Sequence, residues 1–252
     1  MRSLGFPRQR QLVHLLHIGK TGGTALKAAL DQHLVCRNHV VVPHGHSTRL
    51  RDVPETDLFM FCLRDPITRF VSGFYSRQRQ GRPRYFSPWR EEERVAFERF
   101  DTPNALASGL RAEDGTVREA AATAMRSIRH VRSPYTDWFE SPAYLRSRSK
   151  NLFFVGRVES LEHDFARLRT KLGLPGTIEL PVDPVAAHRS PSPLDRRLEP
   201  EAIAALEDWY ARDYEFIELC RALASPGEEP RTRSRRSHAT PALQTQPAAG
   251  QL

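Results

Sequence analysis

Residues 15–24, Leu-Leu-His-Ile-Gly-Lys-Thr-Gly-Gly-Thr, pass from an apolar run into a lysine set among glycines and threonines. An amphipathic stretch follows. That order describes a strand, an anion-holding loop and a helix. Main-chain N–H groups freed at a helix start, together with the helix dipole, bind phosphate or sulfate. In such a loop Lys20 supplies charge, Gly22 and Gly23 allow close approach of the main chain, and Thr21 and Thr24 supply hydroxyl donors. The nucleoside-triphosphate loop Gly-x-x-x-x-Gly-Lys-Ser/Thr is matched only at its end, by Gly19-Lys20-Thr21, because His14 stands where the first glycine belongs. This departure argues against an ordinary kinase or GTPase loop. A Mg²⁺-dependent small-molecule kinase is the rival enzyme reading.

A second motif, Arg64-Asp65-Pro66-Ile67-Thr68-Arg69-Phe70-Val71-Ser72-Gly73-Phe74-Tyr75, directly follows the apolar run 58–63. Asp65 suits a helix N-cap, and Pro66 suits the first helical turn, where its missing N–H does no harm. Phe70, Phe74 and Tyr75 read as packing residues. Arg69 is open between a solvated helix position and an anion contact.

Taken together, Lys20–Thr24 and Arg64–Tyr75 closely resemble the sulfotransferases that use 3'-phosphoadenosine-5'-phosphosulfate (PAPS), in the branch that includes carbohydrate and heparan sulfate sulfotransferases. The resemblance implies that Lys20, Thr21, Gly22, Gly23 and Thr24 cradle the 5'-phosphosulfate. It also implies that Arg64 and Ser72 bind the 3'-phosphate. Their offset has a physical logic, since Ser72 falls about two helical turns after Arg64 at the strand end. The segment Phe154-Val155-Gly156-Arg157-Val158-Glu159 resembles a late strand-to-helix unit of the family, with Glu159 structural. His188-Arg189-Ser190 occupies the place of a loop that closes over the nucleotide in relatives, which implies Arg189 and Ser190 as further donor contacts; an ordinary surface loop explains them equally well.

Pro43-His44-Gly45-His46 is the third feature. Its histidines can serve as a base near neutral pH, as a metal pair, or as a polar loop. A metal wants a third ligand, and no carboxylate or cysteine nearby has convincing spacing. The segment resembles the His-Gly-His of uronyl 2-O-sulfotransferases, which implies His46 as the base that takes the acceptor proton, with His44 in support. Lys20 and His46 are thus the expected catalytic pair, with PAPS as donor co-substrate and no metal. The expected acceptor is a hydroxyl of a carbohydrate or other small molecule.

The elements that must position these groups alternate. Strands are expected at Leu12–Ile18, His39–Val42, Leu58–Leu63 and Asn151–Val155. Helices are expected over Ala25–Leu34, from Pro66 through Tyr75, over Leu161–Leu172 and, as one long final element, over Glu201–Leu223. The fold class is therefore α/β: a P-loop-like three-layer fold with a central, mainly parallel sheet flanked by helices. A single domain over residues 1–224 is expected. Residues 85–148 form a helical and loop insertion lining the acceptor site, in which Tyr135, Trp138 and Phe139 either stack on a sugar or pack in the core. The polar tail 225–252 is expected to be disordered.

The net charge of +8 favours anionic ligands, but the arginines are dispersed, so no nucleic acid is expected. A non-catalytic polyanion binder is the alternative from another class. Three cysteines without metal or disulfide spacing, and no apolar run near the ~18 residues of a membrane span, indicate a reduced, cytoplasmic protein.

Overall fold

The computed structural model describes residues 10–183 and 194–224. Four parallel strands form one sheet in the order β2-β1-β3-β4: β1 (Gln11–Leu15), β2 (His39–Pro43), β3 (Leu58–Leu63) and β4 (Leu152–Arg157). Two buried clusters cover its faces. Val13, Leu15, Met60 and Cys62 pack against α1 (Gly23–Leu30) and, through Phe165, Leu168 and Leu172, against the helix Leu161–Leu172. Leu16, Ile18, Phe59, Phe61 and Leu63 face Tyr135, Phe139, Leu145 and Phe216 on the other side. The α/β class with a parallel, helix-covered sheet is thus the observed one.

After β3, α2 (Pro66–Gln78) starts as its sequence requires: Asp65 accepts from the Thr68 N–H at 2.9 Å, and Pro66 occupies the first turn. Phe70 and Phe74 of α2 enter a third core, built mainly from helices. That core is built with α3 (Glu91–Arg99), α4 (Pro103–Gly109) and α5 (Gly115–Ser127), which lie with their connecting loops in the stretch 85–148. α6 (Pro142–Ser147) leads into β4, and α7 (Leu161–Leu172) follows it.

The final helix expected over 201–223 is two helices, α8 (Pro200–Trp209) and α9 (Ala211–Ala224). The chain turns at the buried Tyr210, whose hydroxyl donates to the Val131 carbonyl at 3.2 Å. The turn lets Ala202 and Leu206 pack in the α2 core while Phe216 and Cys220 pack under the sheet. Other boundaries shift slightly. β1 ends at Leu15, although Leu16 still donates to Met60 O at 2.9 Å, and α1 ends at Leu30. Tyr135, Trp138 and Phe139 are core residues, which decides between their two readings.

Cys36, Cys62 and Cys220 are buried and free. Among the described residues no helix is long and apolar enough to cross a membrane. The tail 225–252 lies outside the described residues.

Candidate active site

In an open parallel sheet, ligands bind beyond the carboxyl ends of the strands, where neighbouring strands send the chain in opposite directions. Here β1 leads through α1 to β2 on one side, while β3 lies on its other side. The two sequence motifs leave those strands, and a cavity of about 1100 Å³ opens between them. Lys20, Gly22, Gly23, Thr24, His46, Arg64 and Ser72 all line it.

The loop after β1 is tightly fitted. Gly22 caps α1 with φ 79°, a left-handed conformation suited to glycine. A Cβ on Gly23 would stand 2.5 Å from Cδ2 of His17, so any larger residue would have to displace that buried imidazole. Lys20 also lies in the left-handed region, with φ 68°. Burial, and then the charges of Arg64 and Arg79, lower its ammonium from 10.5 to about 7. Cations gathered closely enough to depress one another's charge mark a site suited to an anion.

Arg64 donates from Nε to the Thr68 hydroxyl at 3.1 Å and from Nη1 to the Lys20 carbonyl at 3.5 Å. Its own main chain is clamped by the Tyr135 hydroxyl, which donates to Arg64 O at 2.6 Å and accepts from Arg64 N at 3.0 Å. Glu159 accepts from the Asp65 N–H at 2.8 Å, so it braces the start of α2.

Two expectations for the motifs need correction. The Thr21 side chain is buried, and its hydroxyl donates to Ile18 O at 3.0 Å. The hydroxyl therefore closes the loop instead of facing an anion, and only the Thr21 main chain is left for that task. Arg69 is neither solvated nor an anion contact. It is buried, donates from Nε to Gly19 O at 3.0 Å, pairs with Asp213 at 3.7 Å and lies over the Tyr135 ring at 4.7 Å.

The histidines of Pro43–His46 separate. His46 lines the cavity; its Nδ1–H donates to His17 O at 3.0 Å, which leaves Nε2 as the proton acceptor in the neutral ring. Burial pushes its pKa below the ordinary 6.5, and the hydrogen bond to His17 opposes that shift. Trp138 Nε1 donates to His46 O at 3.1 Å and fixes this turn. His44 instead meets the buried His14, Nε2 to Nδ1 at 2.8 Å, and His14 Nε2 reaches Asp57 at 3.1 Å. His44 is thus absent from the lining of the cavity. Among the described residues no group of three or more His, Cys, Asp or Glu side chains is arranged to hold a metal.

Arg189 and Ser190 lie outside the described residues. Arg84, Arg129, His130 and Arg196 also line the cavity, and sequence reading assigned none of them. None belongs to a motif with recognisable spacing, so for the three arginines the only signal was the general basic excess, and for His130 there was none.

The chain matches the model of the Sulfotransferase family over residues 9–218 and belongs to that family. No curated protein and no solved structure matches it significantly.

Proposed function

We propose that this sulfotransferase moves a sulfuryl group from PAPS to a hydroxyl of a carbohydrate or similar small acceptor. One observation carries the reading: Lys20 on one motif and Arg64 with Ser72 on the other open onto a single cavity of about 1100 Å³. That is ample for a nucleotide together with part of an acceptor, since small-molecule sites span roughly 300–1,000 Å³.

Each residue has a physical task. Gly22 and Gly23 let main-chain N–H groups approach the 5'-phosphosulfate, and Thr24 adds a hydroxyl. Arg64 and Ser72 select the 3'-phosphate, which ATP lacks. Lys20 faces the oxygen that bridges phosphorus and sulfur. As the S–O bond breaks, its electron pair stays with the departing phosphate, where the Lys20 charge is most useful. His46 Nε2 takes the acceptor proton while the acceptor oxygen forms its bond to sulfur. The products are the sulfate ester and adenosine 3',5'-bisphosphate.

Titration calorimetry with adenosine 3',5'-bisphosphate, ATP with Mg²⁺ and an oligonucleotide tests the donor. The bisphosphate is expected to bind at least tenfold more tightly than either competitor. Preference for ATP with Mg²⁺ would indicate a kinase, and preference for the oligonucleotide a polyanion binder. Incubation of the enzyme and PAPS with saccharide acceptors, read by product mass, then tests the acceptor.

A further inference from the structure

His130 enters the cavity from the turn that follows α5, remote in sequence from both motifs. Its backbone is left-handed, with φ 70°, a conformation uncommon for residues other than glycine. The turn is held there from several directions. The Arg129 N–H donates to Glu93 at 3.0 Å, and Glu93 is itself gripped by Arg77 at 2.7 and 2.6 Å. Val131 O accepts from the Tyr210 hydroxyl at 3.2 Å. Two glycines make room. A Cβ on Gly73 would stand 3.2 Å from His130 O, and a Cβ on Gly19 would stand 3.1 Å from His130 Nδ1.

The outcome is an imidazole laid on the loop residue just before Lys20, with its centroid 6.1 Å from that of His46. Among the described residues four non-glycine positions have positive φ: Lys20, Gln80, His130 and Glu140. Of these, Lys20 and His130 line the cavity and the other two do not. Backbone strain persists only where surrounding structure enforces it, and it concentrates at functional sites.

We propose that His130 is a further catalytic residue of sulfuryl transfer, giving a ring N–H to the oxygen that leaves with the phosphate and sharing with Lys20 the charge that develops there. This rests on the donor reading above. Burial, and then the charges of Lys20, His46, Arg129 and Arg77, push the His130 pKa well below 6.5, so the ring is a neutral donor. It neither gains nor loses a proton in the step. The S–O electron pair goes to the departing oxygen, and the acceptor proton goes to His46.

The left-handed backbone makes the test unusually clean. His130→Gly removes the ring and relieves the strain, whereas His130→Asn tolerates the conformation and keeps an N–H donor. Single-turnover release of sulfate from PAPS, with water as acceptor, reads the chemistry without a known acceptor. Calorimetry with adenosine 3',5'-bisphosphate and thermal unfolding accompany it. The expected pattern for His130→Gly is an unchanged or higher Tm, bisphosphate affinity within about threefold of the parent, and sulfate release slowed about 100-fold. His130→Asn is expected to recover at least tenfold of that loss. Sulfate release within threefold of the parent in His130→Gly would overturn the proposal, as would equal loss in rate and affinity in both variants. A parent enzyme that neither binds the bisphosphate nor releases sulfate from PAPS would overturn the donor reading and this role with it.

Discussion

Arg69 Nε donates to the main-chain oxygen of Gly19 at 3.0 Å, so the helix of the second motif holds up the loop of the first. The guanidinium is itself sandwiched, with Asp213 at 3.7 Å and the rings of Tyr135 and Trp138 at 4.7 and 5.7 Å. Arg64 and Lys20 are therefore coupled through the scaffold as well as through the cavity they share.

Replacing this support has a foreseeable cost. Arg69→Met leaves Asp213 buried without its cation, and breaking a buried pair costs about 3 to 5 kcal/mol. Urea unfolding should show a loss of that order, together with weakened bisphosphate binding. A loss under about 0.5 kcal/mol would mean that Arg69 does not hold the loop.

Lys20 should reveal itself through pH. Its ammonium sits at about 7 in the fold against 10.5 as the ordinary value. Between those limits the unfolded chain binds more protons, so stability rises with pH there. The cost of burying the charge is complete below pH 7 and fades toward 10.5. Lys20→Met is therefore expected to raise Tm most near pH 6, progressively less toward pH 10, and to abolish transfer. A Tm gain independent of pH would contradict the depressed value.

Arg64→Ala is expected to weaken adenosine 3',5'-bisphosphate about 10- to 100-fold, the worth of a charge-assisted contact. The 5'-monophosphate should lose no more than about threefold. Equal weakening of both ligands would detach Arg64 from the 3'-phosphate.

His46→Ala is expected to lower kcat about 10²- to 10⁴-fold with little change in donor affinity. Because burial lowers the His46 pKa, its neutral form survives further into acid than an ordinary imidazole. The acidic limb of the parent kcat profile should accordingly lie below pH 6.5. A limb above that value, or an unchanged kcat in the variant, would remove His46 from the chemistry.

Much of the scaffold was legible because local signals agreed with global needs. β3 and α7 occupy the expected residues, the first bounded by Arg-Asp-Pro and the second by Gly173 with φ 70°. The break at Tyr210 was not legible. Trp209-Tyr210-Ala211 contains no helix breaker, and the turn there serves two cores, one under α2 and one under the sheet. The same limit applies to the site. Lys20 and Arg64 announce themselves through spacing within their motifs, whereas Arg69 looks like any charged helix residue until Asp213 is beside it. His130 has no spacing partner at all; only the turn held by Glu93 and Tyr210 brings it to Gly19.

The partner that Arg69 requires belongs to α9, the last of the described helices. A chain ending before Asp213 would possess every residue of both motifs and still lack the carboxylate that pairs with Arg69 beneath the loop. The brace under the first motif is therefore closed by the most C-terminal helix described, so the two ends of the fold meet at the loop that carries Lys20.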